Sequence, residues 1–589
     1  MTRLHPEKQR DLIVLQITGQ LFFIGLFFLS LFYWKERQAF DAAHYLFEII
    51  DREFFFVAHQ RPIGMVSQVL PLIGIWLKLP MMAIAVLYSV GDILWYYLLF
   101  LLLAYRFKSR SGIISLLLIL SLTVRYSFFC PVTELLQAGA LLPVWMCILH
   151  RPFRFRTPLL LALATLIIFS HPLLFIPLAF CLAWWMFTSA KQPRFSNNDR
   201  HSILLLLWIS LVALTGLKLL LLDSYDHGKT FYPVVYNDYG YLQSMYLSNL
   251  LELLAVIASH YSILCILFIT TLTFLFLRKK WKPGLLLFSG WAAYLLLILA
   301  THRFGDISNY SERMLLPLPF MVAISIAGIV KVTRQFIHKL AAYILLVLIL
   351  LLHVDLLRIT SIPYTLRIRQ ITAVIQASRQ LGIQKGIVKE ELMEQTTFAM
   401  TGWSYTMESL WISALDGPDS CVTIAMQRDH IHRIREQKGI LNDDQWVIWA
   451  ENIQPVKDLN QRYFHLKKGP YISLYENSIF TRENAKLTFT ESDKINHYTA
   501  ALALEVTLAD KSIFYTHDSS YLQILIPDGP ELRLQIPYHL KGRNTVWMEI
   551  PYQHLATEST IKISLWSGSY LSGSLPIRYK DGRFWEEKQ

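Results

Sequence analysis

The sequence predicts a polytopic α-helical membrane protein of about eleven transmembrane helices followed by a soluble α/β plus β-sandwich region. Three observations carry this. The 589 residues are 54% hydrophobic and only 17% charged, unlike an ordinary soluble domain. The apolar excess is confined to residues 11 to about 357, in runs such as Leu12–Tyr33, Met81–Tyr105 and Leu340–Leu357, each long enough to cross roughly 30 Å of hydrocarbon as a helix. Finally, when the chain is threaded through a bilayer, its Lys/Arg clusters all fall on one side.

The elements follow in order from that threading. Arg3, Lys8 and Arg10 stay inside, the first run exits near Trp34, and a second at 81 to 105 returns to Arg106, Lys108 and Arg110. The first run is too long for a signal core and continues into Trp34-Lys35-Glu36-Arg37 with no small-residue cleavage site, so it reads as a retained anchor. Two shorter runs, 112 to 129 and 134 to 149, form a hairpin back to Arg151, Arg154 and Arg156. A pair broken at Ser170-His171-Pro172 returns to Lys191, Arg194 and Arg200. A crossing at 202 to 222 leads to an outer loop reaching 246, and the next run returns to Arg278, Lys279, Lys280 and Lys282. The crossing at 284 to 300, the outer loop 301 to 312, a return to Lys331, Arg334 and Lys339, and an exit at 340 to 357 complete the membrane domain, residues 1–357. The net charge of +12 is therefore topogenic, and nucleic acid is excluded as a partner.

Beyond residue 357 the chain is outside. Residues 358–484 read as a mixed α/β region, opening on an amphipathic helix with Ile368, Ile371 and Ile375 on one face. The stretch Trp403 to Trp411 suits either a core or a sugar-stacking surface. Residues 485–589 alternate in short runs, Ala503–Leu508, Tyr521–Pro527, Leu532–Pro537, Thr545–Pro551 and Ile561–Trp566, separated by turn residues, as in a small antiparallel β-sandwich. The five cysteines are scattered, four of them in apolar runs, and suggest neither a disulfide framework nor a zinc site.

Ionisable residues at a membrane edge are costly and so are candidates for function. The first outer loop, 35 to 79, exceeds what a connector needs and holds Asp41, His44, His59 and Arg61. Glu134 lies at the first hairpin tip, His171 at the second, Asp238 in the loop 223 to 246, and Arg303 and Arg313 in the loop before Met314-Leu315-Leu316-Pro317. Each has an ordinary reading as well. Asp41 and Glu134 suit helix N-caps, Arg313 suits headgroup snorkelling, and His171 before a proline suits a structural turn.

The motifs Phe40-Asp41-Ala42-Ala43-His44-Tyr45, Pro131-Val132-Thr133-Glu134 and Glu312-Arg313-Met314-Leu315-Leu316-Pro317, in that order and on one side, resemble the GT-C class of membrane glycosyltransferases. That class includes protein mannosyltransferases, lipid A aminoarabinose transferases and oligosaccharyltransferases. The resemblance covers residues 11 to 357 and departs at Ala42, where many relatives carry a second acid. It implies a lipid-linked sugar donor on a polyprenyl phosphate or pyrophosphate, and a glycan, lipid or protein acceptor. It also implies Asp41 as base and Glu134 as an acidic partner that positions acceptor, base or a divalent metal, no metal site being assigned. Arg303, Arg313 and Arg61 would hold phosphate, with His44, His171 and Asp238 lining the substrate site. A shared reacting centre requires Asp41, Glu134, Arg303 and Arg313 within about 15 Å of one another. The general look of the chain and its lack of a disulfide pattern point to a bacterial inner membrane, N-terminus cytoplasmic and C-terminal domain periplasmic, with an endoplasmic-reticulum membrane and a lumenal domain as the alternative. Two other functions fit the same outline: a transporter or flippase of a lipid-linked glycan, which predicts midplane charges and repeat symmetry, and an envelope scaffold with an outer binding domain.

Overall fold

Helices form wherever the long apolar runs stand. The computed structural model describes residues 6–151, 153–188, 197–223, 226, 239–301, 309–332, 336–388, 402–439, 441–449, 452–474, 485–494, 499–508, 521–525, 531–535, 542–551, 558–567, 570–580 and 583–586. It divides into two units, residues 1–362 and 363–589.

The first unit is helical. Among the described residues, six segments are long and apolar enough to cross a membrane: Gln9–Phe32, Met81–Arg106, Ser202–Leu220, Trp281–Leu299, Glu312–Ile329 and Leu340–Gln380, the last running on past residue 362. A seventh is counted if Asn249–His260 and Ser262–Leu277, bent by 95° at Tyr261, form one broken span. Five further apolar helices are shorter: Pro62–Trp76, Arg110–Leu122, Glu134–Leu149, Arg156–Ser170 and Pro172–Thr188. Their length decides their standing, since roughly 20 residues are needed to span the hydrocarbon.

Helix α1 (Pro6–Phe32) packs on α4 (Met81–Leu101), with the Phe23 ring 5.4 Å from Tyr97 and 5.3 Å from Phe100. Between them in the chain run two shorter helices, α2 (Asp41–Arg52) and α3 (Met65–Trp76). Gly91 of α4 faces α3 at a point where a Cβ would stand 2.8 Å from the Ser67 carbonyl oxygen, so only glycine permits this approach. α2 buries Ala42, Ala43, Leu46, Phe47, Ile49 and Ile50 on one face, the pattern of an amphipathic helix lying along a core.

A buried polar network pins the end of this assembly that follows the first span. Arg37, just after the first span, is fully buried. It donates to Ser89 Oγ at 2.9 Å, to the Ser89 carbonyl at 3.1 Å, to Asp92 Oδ2 at 3.2 Å and to the Phe128 carbonyl. Its guanidinium also lies over the Phe128 ring, 4.1 Å from the centroid. Gln137 joins in, donating to Asp92 Oδ1 at 3.2 Å and to the Pro131 carbonyl at 2.8 Å. Charges survive this far from water only when paired and hydrogen-bonded. The network thereby ties residue 37, helix α4 and the tip 128–137 together.

The second unit begins inside the helix Phe336–Gln380, which runs unbroken through Pro363. The last membrane run and the amphipathic segment expected after it are therefore one helix, with Ile368, Ile371 and Ile375 buried. Arg367 of this helix forms a fully buried pair with Glu408, Nε to Oε2 at 2.8 Å and Nη2 to Oε1 at 3.1 Å, closed by Ser404 Oγ donating to Oε1 at 2.8 Å. Strands β1 (Lys385–Val388), β2 (Thr423–Met426) and β5 (Ile472–Ser473) form a parallel sheet in the order β2-β1-β5, and β3 (Gln445–Trp449) pairs with β4 (Asn452–Pro455). Lys385 is buried and donates to the carbonyls of Asp443 and Gln445, both at 2.7 Å, and of Gly469 at 3.0 Å. Burial pulls its ammonium down to about 8.

Eight more strands, from β6 (Ala485–Lys494) through β7 (Thr499–Leu508), β8 (Tyr521–Leu525), β9 (Glu531–Gln535), β10 (Gly542–Pro551), β11 (Glu558–Ser567) and β12 (Tyr570–Lys580) to β13 (Arg583–Glu586), form two antiparallel sheets. Their orders are β10-β7-β6 and β13-β12-β11-β8-β9. Strands β6, β12 and β13 were not among the runs expected from alternation.

Candidate functional site

Asp41 opens α2. The residue before it, Phe40, occupies the N-cap position with φ 56° and ψ −124° and makes no side-chain cap. An L-residue with a bulky side chain adopts that conformation only when its surroundings impose it, and Phe40 is buried at 8% exposure. Asp41 is thus not the N-cap. It is the first helical residue, and its Oδ2 receives Arg313 Nη1 at 2.7 Å. Burial raises the Asp41 carboxyl, but Arg313, His44 and Arg61 outweigh it and hold the group below the ordinary aspartate value. It is a carboxylate at neutral pH. A second arm of the same guanidinium, Nη2, donates to Cys130 Sγ at 2.8 Å.

Glu134 opens the helix α5 (Glu134–Gly139), again one residue inside the N-cap, which is Thr133. Tyr45, one turn past Asp41, donates its hydroxyl to Glu134 Oε1 at 2.7 Å. Arg61 stands on the other oxygen, Nη1 to Oε2 at 3.6 Å, and gives its Nη2 to Asp226 Oδ1 at 2.5 Å. Burial opposes the charge on Arg61, yet Glu134 and Asp226 more than restore it. Burial and Glu134 both push the Tyr45 hydroxyl well above the usual tyrosine range, so it donates its proton and keeps it. Gly64 closes this corner, with Glu134 Cγ and Tyr45 Cε1 3.7 and 3.8 Å from where a Cβ would be.

A second layer backs the first. His59 Nδ1 lies 2.6 Å from Asp223 Oδ2, Lys218 donates to the His59 carbonyl at 3.4 Å, and the Asp226 amide donates to Asp223 Oδ1 at 2.7 Å. His59 and Gln60 take left-handed φ of 52° and 54°, a strained pair just before Arg61. His171 is held neutral by burial and by Arg61, Arg313 and Lys218 around it, and its Nδ1 accepts the Leu173 amide at 3.3 Å. His44 is likewise neutral, brought down to about 4 by burial against the pull of Asp41. Its ring packs 5.2 Å from Phe56.

Arg313 is positioned by its neighbour. Glu312 is completely buried and accepts the backbone amides of Arg125 at 3.0 Å, Tyr126 at 2.9 Å and Ser127 at 2.7 Å, plus the Tyr261 hydroxyl at 3.2 Å. Three consecutive amides on one carboxylate make an anion nest, here filled from within the protein.

The structure therefore brings Asp41, His44, Arg61, Glu134, His171 and Arg313 into one charged cluster. Asp238 and Arg303 lie outside the described residues. Sequence reasoning missed Tyr45, Cys130 and the Arg37–Asp92–Gln137 network. For Asp92 the signal was present, a lone carboxylate within the run Met81–Tyr105. For Tyr45 and Cys130 there was none, because a hydroxyl and a thiol reveal their roles only through partners. Among the described residues, no group of three or more His, Cys, Asp or Glu side chains is placed to hold a metal ion.

Chemically, the cluster offers an ionised carboxylate at a helix start, a second carboxylate fixed by a phenol, and two guanidinium groups. Such a set can accept a proton from a nucleophile and stabilise an anionic leaving group. The chain matches no protein-family model, no curated protein and no solved structure.

Proposed function

We propose that this protein is an integral membrane glycosyltransferase of the GT-C type, with about eleven spans, seated in a bacterial inner membrane with its second unit in the periplasm and its eight C-terminal strands packed as a β-sandwich. It moves a sugar from a polyprenyl-phosphate-type donor to an acceptor at the outer face. The observation that carries this reading is the Asp41–Arg313 contact of 2.7 Å beside the Glu134–Arg61 pair. An ionised base and a phosphate-binding guanidinium are the two functions that glycosyl transfer from a lipid phosphate requires.

In the reaction, the acceptor hydroxyl or amine attacks the anomeric carbon while the bond from that carbon to the phosphate oxygen breaks. The acceptor's proton passes to Asp41. The electron pair of the broken bond leaves on the polyprenyl phosphate, whose added charge Arg313 and Arg61 stabilise through their N–H forks. Tyr45 and Arg61 hold Glu134 in one orientation, so Glu134 positions the acceptor rather than exchanging protons. The test is release of polyprenyl phosphate from short-chain polyprenyl-phosphate sugars by the purified full chain in nanodiscs. Release by the native protein and its loss in Asp41→Asn are expected; equal release by both would overturn the reading.

Transport of a lipid-linked glycan is the second reading. The buried Asp92 carboxylate within Met81–Arg106, paired with Arg37 just beyond the first span, favours it, because a charge inside a span often marks a pathway. Translocation of a labelled lipid-linked glycan without turnover would select it.

A further inference from the structure

The aromatic stretch Trp403 to Trp411 divides in the fold. Trp411 is fully buried and belongs to the core of the second unit, whereas Trp403 is half-buried. Its ring stands 6.5 Å from that of Trp449, centroid to centroid, at 85°, and Trp449 is 40% exposed. Two indoles at right angles make a corner: one offers a flat apolar face and the other a wall.

An acid sits at the foot of this corner. At Gly402 a Cβ would lie 2.6 Å from Asp429 Oδ2, so the carboxylate rests directly on the backbone of the residue preceding Trp403. Any side chain at 402 would push it away. Asp429 lies 3.8 Å from Arg433, an exposed arginine. The corner is also rigid. His430 is fully buried, its Nδ1 accepting the Met426 amide at 3.0 Å and its Nε2 donating to the Trp403 carbonyl at 3.1 Å. Those two bonds define its tautomer and tie the Trp403 segment to the end of β2. Burial brings His430 down to about 4, so the ring stays neutral and the tie persists at physiological pH.

Position adds a further argument. Asp429 follows three residues after Met426, the last residue of β2 in the parallel sheet β2-β1-β5, and Trp449 ends β3 of the separate antiparallel pair β3-β4. Ligands of open α/β sheets bind beyond the carboxyl ends of the strands.

We infer that Trp403, Trp449 and Asp429 form a saccharide-binding subsite within the second unit, separate from the charged cluster around Asp41. A pyranose presents an apolar face of C–H groups and a rim of hydroxyls. The first stacks on an indole, and neighbouring hydroxyls donate to a carboxylate. A flat aromatic with a hydrogen-bonding acid one residue away matches that chemistry better than it matches a peptide or an anion. Asp429 disfavours anionic ligands, and the perpendicular rings leave no groove for a helix.

The test uses the full chain in nanodiscs and four neutral hexasaccharides as probes, built of glucose, mannose, galactose and N-acetylglucosamine. Binding is read by saturation transfer to the sugar protons. At least one probe should bind with a Kd on the order of millimolar or tighter. Trp449→Ala and Asp429→Asn should each weaken that binding about tenfold or more, as expected for losing a stacked ring or a charge-assisted hydrogen bond. Arg435→Ala, exposed in the same unit, should change nothing. Three results would overturn the inference: no probe binds, a bound probe is unaffected by both variants, or Trp449→Ala lowers thermal stability while binding persists, which would make the corner a contact with the rest of the chain. Asp41→Asn should leave sugar binding intact, so the outcome is independent of the transferase reading.

Discussion

Asp41→Asn separates catalysis from architecture. The substitution keeps the side chain's shape and removes its charge, so Arg313 loses its 2.7 Å partner and the proposed transfer loses its base. Loss of a positioned general base slows a reaction roughly 100- to 10,000-fold, or about 3 to 5 kcal/mol of barrier. The cost to stability is much smaller. The Asp41 side chain is 37% exposed, and a partly solvated pair contributes about 1 kcal/mol or less. Its carboxyl is held below the ordinary value, so its share of stability is present at neutral pH and disappears only as pH falls through and below about 4. The assay is the initial rate of polyprenyl phosphate release in nanodiscs between pH 4 and 8, with thermal unfolding measured alongside. The variant should lose at least about a hundredfold in rate across this range, while its unfolding temperature moves by only a few degrees. A rate within tenfold of native at saturating donor would refute the base assignment. A rate loss that merely tracks unfolding would refute it equally.

Other outcomes follow from the same geometry. Tyr45→Phe removes the 2.7 Å bond to Glu134 and should raise the KM for acceptor several-fold with little change in kcat, whereas Glu134→Gln should lower both affinity and rate; steady-state kinetics distinguishes them. Arg367→Met leaves the buried Glu408 carboxylate without its guanidinium, which should cost about 3 to 5 kcal/mol in chemical unfolding of the second unit, while Arg367→Met with Glu408→Leu should recover most of it. Because His430 is neutral in the fold with its value brought down to about 4, the unfolded chain binds the extra proton as pH drops from about 6.5. The second unit should therefore lose stability across that interval, and His430→Gln should flatten the slope in thermal unfolding.

Much of the first unit could be read from the chain, and the reason is periodicity. Spans announce themselves by length and apolarity, and Lys/Arg distribution orients them, so residues as far apart as Asp41, Glu134 and Arg313 could be assigned to one side. Pairing could not be read. Nothing in the sequence distinguishes Arg61, shared between Glu134 and Asp226, from Arg313, which takes Asp41. Glu312 looked like one more loop charge until its three backbone amides placed it in the interior. Asp41 and Glu134 matched N-caps by type, and both stand one residue inside their helices because Phe40 and Thr133 hold the cap positions. The left-handed Phe40 is invisible to any propensity, since tertiary packing overrides the local preference. The short helices of the hairpins illustrate the opposite case, where apolar composition was clear and only the three-dimensional lengths set them apart from full spans.

The Asp41–Arg313 contact joins residues 272 positions apart in the sequence. At roughly 5 to 20 residues per second of synthesis, Asp41 waits about 15 to 50 seconds at the membrane before its partner has been made. During that interval α2 carries a carboxylate with no guanidinium opposite it, on a strained start at Phe40. Arg61 is translated early as well, only twenty residues after Asp41, and can serve as a provisional counterion. The finished site is therefore a late product of insertion, and a chain interrupted before residue 313 carries most of the spans and none of the proposed activity.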